Sequence, residues 1–92
     1  MAIHLKVDGT KEVVKPGDGR TDFNLDELKK YIGGGYIQII RLNDDRMVVM
    51  DEEAKLKNFE LNLPATRLCH EVLWPGDYIS GDVLICLPGE IE

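Results

Sequence analysis

The sequence predicts an α+β fold: a single, mainly antiparallel sheet in the order ββαββαβ, with one main helix and one short helix packed on it. Three observations carry that expectation. Ile3, Leu5 and Val7 alternate with His4 and Lys6 at the start of the chain, the period of a strand with one buried face. Helix start and stop signals bracket the stretch from Phe23 to Gly33. Three glycines, Gly33 to Gly35, then release the chain into Tyr36-Ile-Gln-Ile-Ile-Arg-Leu42, and a polar turn at Asn43-Asp44-Asp45 returns it through Met47-Val-Val-Met50.

Each element has its own local reason. Asp8-Gly9 supplies a turn, so Lys11-Glu-Val-Val-Lys15 returns as the second strand of a first hairpin. Pro16-Gly17-Asp18-Gly19 ends that strand, and a surface loop is expected as far as Asp22. Asn24 caps a helix, Glu27 three residues on completes a capping box, and Phe23 with Leu28 forms the hydrophobic staple. Leu25, Leu28 and Ile32 share one face, Lys29 and Lys30 suit the last turn, and Gly33 offers a left-handed C-terminal cap.

In the next strand Ile37 and Ile39 lie on one face, with Gln38, Ile40 and Leu42 on the other. A strand apolar on both faces is expected at the centre of its sheet. Asp51 to Asn58 reads as a charged connection, and Pro64 sits in the first turn of a short second helix carrying Ala65, Leu68 and Cys69. Trp74-Pro-Gly-Asp-Tyr78 is a turn. The last strand is expected from Ile79 to Leu87, with Gly81 marking a bulge or a close approach. One side of the sheet is expected to be covered by helix.

Ninety-two residues leave room for one domain, 1–92, able to close a modest core without metal or disulfides. The net charge of −6 argues against nonspecific nucleic-acid binding, which draws its affinity from Lys and Arg on phosphates. It suits solubility, a basic protein partner or a mimic of nucleic acid. Cys69 and Cys86 lie among apolar neighbours and read as reduced core residues, with a disulfide left open. The first residues are too short and too polar for a targeting signal, and no apolar run reaches membrane-spanning length, so a cytoplasmic location is expected.

Catalytic signals are sparse. Cys69 and His70 are adjacent, and neighbours on a helix diverge by about 100°, which favours a buried Cys beside a surface His over a thiolate–imidazole pair. His4, His70, Cys69 and Cys86 lack the paired spacing of a tetrahedral metal site. The glycines at 33–35 follow a helix C-terminus, where the dipole repels anions, so they are structural and not a phosphate cradle. No cofactor is expected and the chain does not read as an enzyme.

Binding is better supported. Trp74 and Tyr78 flank a rigid turn, where packing over the core is favoured over stacking on a base or a partner. Arg41 and Arg46 flank the hairpin turn, able to bridge Asp44 and Asp45 or to bind a phosphate. Asn62 and Thr66 bracket the start of the second helix, with capping as the first reading and ligand contact as the second.

The chain resembles a family of domains of unknown function found in small proteins of phages, plasmids and other mobile elements. The resemblance rests on Val14-Lys-Pro-Gly17, Leu28 with Tyr31-Ile-Gly-Gly-Gly-Tyr-Ile-Gln-Ile-Ile-Arg-Leu42, Val48-Val-Met-Asp-Glu-Glu-Ala-Lys-Leu56, Asn62 with Ala65-Thr66, and Ile79-Ser-Gly-Asp-Val-Leu84. Ala54 stands where the family often has glycine. The resemblance implies a small accessory protein of a mobile element, many of which neutralise host defences.

That context leads to two expectations of different class. In the first, a homo-oligomer sequesters a nucleotide immune signal in a pocket between subunits, with Arg41, Arg46, Lys29 and Lys30 on phosphates and Tyr36, Trp74 or Tyr78 on a base. In the second, the protein inhibits a basic nuclease or CRISPR-type effector through Asp44, Asp45, Asp51, Glu52 and Glu53.

Overall fold

The computed structural model describes residues 2–91. The elements follow the expected order: β1 Ala2–Leu5, β2 Lys11–Val14, α1 Leu25–Ile32, β3 Ile37–Arg41, β4 Met47–Asp51, α2 Leu63–Leu68 and β5 Val83–Cys86. The strands form one five-stranded sheet in the order β2-β1-β5-β4-β3, and every neighbouring pair is antiparallel.

The position of β3 corrects the expectation from its apolar pattern. It is an edge strand, and β5 is the central one. The continuous run Val83-Leu-Ile-Cys86 is buried on both faces, as a central strand requires, whereas Gln38, Ile39 and Arg41 of β3 are exposed. β5 is also shorter than expected. Ile79 and Ser80 precede it as a separate segment, where Ser80 pairs with Leu61 in an isolated bridge.

The sheet carries a helix on each face, not on one. Neighbouring residues of the inner strands separate cleanly, as period-two alternation dictates. Val48, Met50, Val83 and Ile85 join Leu5, Ala65 and Cys69 under α2, while Val49, Leu84 and Cys86 join Ala2, Phe23, Leu28 and Ile32 under α1. Cys69 and Cys86 are both free and belong to opposite layers, so the sheet itself keeps them apart.

α1 forms for the reasons its sequence supplies. The Asn24 side chain accepts from the Glu27 N–H at 2.9 Å, and the Glu27 carboxylate accepts from the Asn24 N–H at 3.1 Å, closing the capping box. Gly33 ends the helix at φ 95°, a left-handed conformation that costs glycine nothing. Leu28 and Ile32 are buried, but Leu25, expected beside them, is exposed. Phe23 and Leu28 lie in one cluster, and full burial of a side chain of this kind contributes about 1.5–3 kcal/mol.

α2 is set by Asn62, which is fully buried. Its side-chain oxygen accepts from the Ala65 N–H at 3.1 Å, and its amide donates to the carbonyls of Leu5 at 3.1 Å and Gly81 at 2.9 Å. One residue therefore caps the helix and ties it to β1 and to the approach to β5. Gly81 marks a close approach: at φ 82°, a Cβ there would stand 2.8 Å from the Phe59 ring.

Candidate ligand-binding groove

β3 runs along the edge of the sheet with alternate side chains on opposite faces. Gln38 and Ile40 oppose Met50 and Val48, which places them on the α2 face, and the same alternation puts Tyr36 beside them. On that face lies an open groove of about 110 Å³, lined by Gln38, Ile40, Glu52, Lys55, Tyr78 and Ser80, among others. Its floor is the apolar layer of Met50 and Ile79.

Two surface segments wall the groove and are tied together by Lys55. The Lys55 ammonium bonds the Asp77 carboxylate at 2.5 Å and lies 4.2 Å from the centre of the Tyr78 ring, a cation–π geometry. Asp77 closes the turn that Trp74 opens, its N–H donating to the Trp74 carbonyl at 2.9 Å. The same carboxylate accepts from the Tyr78 N–H and is held below the usual range, first by Lys55 and then by that backbone bond. Trp74 is 82% exposed, which corrects the expectation that it packs over the core. The indole belongs to the turn whose Leu73 and Asp77 line the groove, and Tyr36 and Tyr78 are exposed as well.

The expected basic cluster does not assemble. Arg41 is exposed and shares the α1 face of β3 with Ile37 and Ile39, whereas Arg46 lines clefts on the α2 face and donates from Nε to Asp44 at 2.8 Å. Lys29 and Lys30 end α1 next to the start of β3, and Arg41 lies about 13 Å further along the strand. Of the aromatic set Tyr78 lines the groove, while Tyr36 and Trp74 are exposed outside its lining; the basic set is spread over both faces.

Asn62 and Thr66 are consumed by the fold. Asn62 has no exposed surface, and Thr66 Oγ1 donates to the Asn62 carbonyl at 2.8 Å and accepts from the Ile79 N–H at 2.9 Å. This corrects their reading as ligand contacts. The acidic patch also divides. Asp44 and Asp45 are exposed at the hairpin turn, Glu52 is exposed in the groove and Glu53 is half-buried, but Asp51 is buried. Its carboxylate accepts from the Lys57 ammonium at 2.6 Å and from the Glu53 N–H at 2.9 Å, so it belongs to the interior.

His4 is structural, its Nε2 donating to the Tyr31 carbonyl at 2.7 Å, while His70 is exposed. Burial pushes the Cys69 thiol up to about 11 and the Cys86 thiol up to about 12, far from nucleophilic reactivity. Among the described residues no group of three or more His, Cys, Asp or Glu side chains is placed to hold a metal. Nor is any helix among them long and apolar enough to cross a membrane.

Sequence reasoning missed Gln38 and Lys55. Gln38 was legible as the one polar side chain in Ile37-Gln-Ile-Ile40, while Lys55 lies in a charged connection with nothing local to distinguish it from Lys57. Residues 2–92 match a family described as a domain of unknown function, DUF3846. No curated protein and no solved structure matches the chain.

Proposed function

We propose that this chain, which belongs to the DUF3846 family of domains of unknown function, acts by binding and not by catalysis, as a counter-defence accessory protein of a phage or other mobile element. It works in the host cytoplasm as a homo-oligomer that sequesters a nucleotide immune signal in a pocket between subunits. The observation that carries this reading is the groove on the α2 face, where Tyr78 stands beside Lys55, with Trp74 exposed on the adjoining turn and Tyr36 exposed at the start of β3. Aromatic faces stack on any base, and each such contact contributes about 1–3 kcal/mol. Lys55, held only by surface contacts, can exchange Asp77 for a phosphate. At about 110 Å³ the groove is smaller than the roughly 300 Å³ at which small-molecule pockets begin, so a nucleotide needs walls from a second copy.

Native mass spectrometry of the purified protein, alone and with cyclic and ADP-ribose-type nucleotides, tests the reading. A stoichiometric nucleotide retained by an oligomer, and lost from Trp74→Ala and Tyr78→Ala, supports it. A protein that retains none of the panel overturns it. Substituting Arg41 and Arg46 together decides whether either touches phosphate; unchanged binding removes both.

A second reading, an acidic inhibitor of a basic host nuclease or CRISPR-type effector, is favoured by the pairing of charges. Lys6, Arg20, Arg46, Lys55 and Lys57 are each tied to a carboxylate, so the net charge of −6 is expressed by acids such as Asp45, Glu52 and Glu53. Asp51 has no part in that surface. Capture of a basic effector by the wild type, lost on Asp45→Lys with Glu52→Lys, is the outcome this reading requires.

A further inference from the structure

We infer that β3 is the joint at which two copies of this chain assemble, strand against antiparallel strand, into one continuous sheet. The sheet has two edges and the sequence treats them differently. β2 carries Lys11 and Glu12, is followed at once by Lys15-Pro16, and is tied across to Lys6 by Glu12 at 2.5 Å. Charge and proline are the devices that keep an edge from pairing. β3 has neither over Ile37-Gln-Ile-Ile40.

The main chain of β3 is set for pairing. Leu42 donates to Arg46, and Glu52 donates to Tyr36, so the even-numbered residues of this strand carry the bonds to β4. Ile37, Ile39 and Arg41 therefore turn their N–H and carbonyl groups outward. A two-fold axis at Ile39, normal to the sheet, sets Ile39 against its own copy and Ile37 against Arg41 of the partner copy, satisfying about six main-chain hydrogen bonds. α1 packs mainly on β4 and β5, and Gln38, Ile39 and Arg41 of β3 are exposed.

Charge also favours the antiparallel sense. It lays the acidic Asp44-Asp45 turn of one copy against the α1 C-terminus of the other, where Lys29 and Lys30 stand, and Arg41 towards the end that carries Glu52. A parallel alignment would set acidic turn against acidic turn. An axis normal to the sheet keeps both grooves on the same side, separated only by the two β3 strands. Only this last step rests on the nucleotide reading: each copy then supplies the other's outer wall.

Sedimentation of the ligand-free protein tests the joint. The wild type is expected at twice the chain mass, or a multiple of it. Ile39→Lys and Ile39→Pro are expected to halve that mass with the far-ultraviolet circular dichroism retained, because the Ile39 side chain is 45% exposed and its N–H faces away from β4. Val13→Lys, on the opposite edge, is expected to leave the mass unchanged. A wild type at single-chain mass, an Ile39→Lys protein that keeps the full mass, or a Val13→Lys protein that loses it overturns the inference. An oligomer that binds no nucleotide removes the nucleotide reading and leaves the joint standing; a monomer that binds one removes the joint and the pocket between subunits and leaves nucleotide binding alone.

Discussion

Asn62 donates its side-chain amide to the Leu5 carbonyl at 3.1 Å across 57 positions of sequence, fastening the start of α2 to the end of β1. The same amide reaches the Gly81 carbonyl, and the side-chain oxygen takes the Ala65 N–H, so no polar atom of this buried group is idle. Loss of a cap costs about 0.5–2 kcal/mol, and an unsatisfied buried acceptor adds about 1–3 kcal/mol. Asn62→Ala is therefore expected to destabilise the protein by about 2–4 kcal/mol in urea titration. Asn62→Asp is expected to be worse, because it sets a carboxylate against two carbonyl oxygens. Equal stability of wild type and Asn62→Ala would refute this account of α2.

Gly81 and Gly34 separate strain from crowding. Both have positive φ, 82° and 86°, but a Cβ on Gly81 meets Phe59 at 2.8 Å while one on Gly34 meets nothing within 4 Å. Gly34→Ala is expected to cost about 1–2 kcal/mol, the left-handed penalty alone. Gly81→Ala should cost more, and adding Phe59→Leu should return part of the excess in a double-mutant cycle. Additive effects of the two changes would show that the ring does not set the limit.

Glu27 makes stability depend on acid pH. The Asn24 N–H, the Gly17 N–H and the Arg20 guanidinium, in that order, lower its carboxyl from an ordinary value of 4.5 to about 2. Because the folded value lies below the unfolded one, the stabilisation is complete above about pH 4.5 and fades as pH falls towards about 2. Urea midpoints of the wild type should decline through that window more steeply than those of Glu27→Gln, which keeps the shape of the capping box without the charge. Parallel curves for the two proteins would remove Glu27 as the cause.

The thiols provide a test of the two-layer core. Cys69 and Cys86 are at most 1% exposed, on opposite faces of the sheet. A thiol reagent at pH 8 is expected to label neither in the native protein and both in urea, with no disulfide formed under mild oxidation. Rapid labelling of the native protein would contradict this burial.

Trp74 makes a contrasting prediction. With the indole 82% exposed, its fluorescence is expected near the emission maximum of tryptophan in water, and Trp74→Ala should change stability by no more than about 0.5 kcal/mol. A blue-shifted emission or a large loss of stability would show that the turn folds back on the core.

Elements with a local cause were legible in the sequence. The capping box of Asn24 and Glu27, the left-handed cap at Gly33 and the turns at Asp8-Gly9 and Asn43-Asp44-Asp45 are decided by groups within a few residues of one another. The glycines at 33–35 read correctly as structural, Gly33 as the left-handed cap, and the fold adds a second reason that the sequence did not carry. Gly33 accommodates Phe59, and Gly35 leaves room for the Asp51–Lys57 pair, partners that lie more than a dozen residues away.

The aromatic half of the candidate groove was visible as residue types, while its assembly was not. Tyr36 and Tyr78 lie on different segments, and only the pairing of β3 with β4 and the bridge from Lys55 to Asp77 bring them to one face. The basic half failed for the same reason: Arg41 and Arg46 are close in sequence, but strand alternation and the bond from Arg46 to Asp44 send them to opposite sides.

The sequence by itself determined the kind and order of the elements, because capping, turn chemistry and side-chain periodicity act over a few residues. Tertiary structure alone decided that β5 is central and β3 an edge, that the two helices take opposite faces, and that Asn62 and Asp51 are interior. Strand order depends on which apolar runs can be buried on both faces at once. That competition is between distant segments, and Val83-Leu-Ile-Cys86 wins it over Ile37-Gln-Ile-Ile40 because its burial leaves no polar side chain without water.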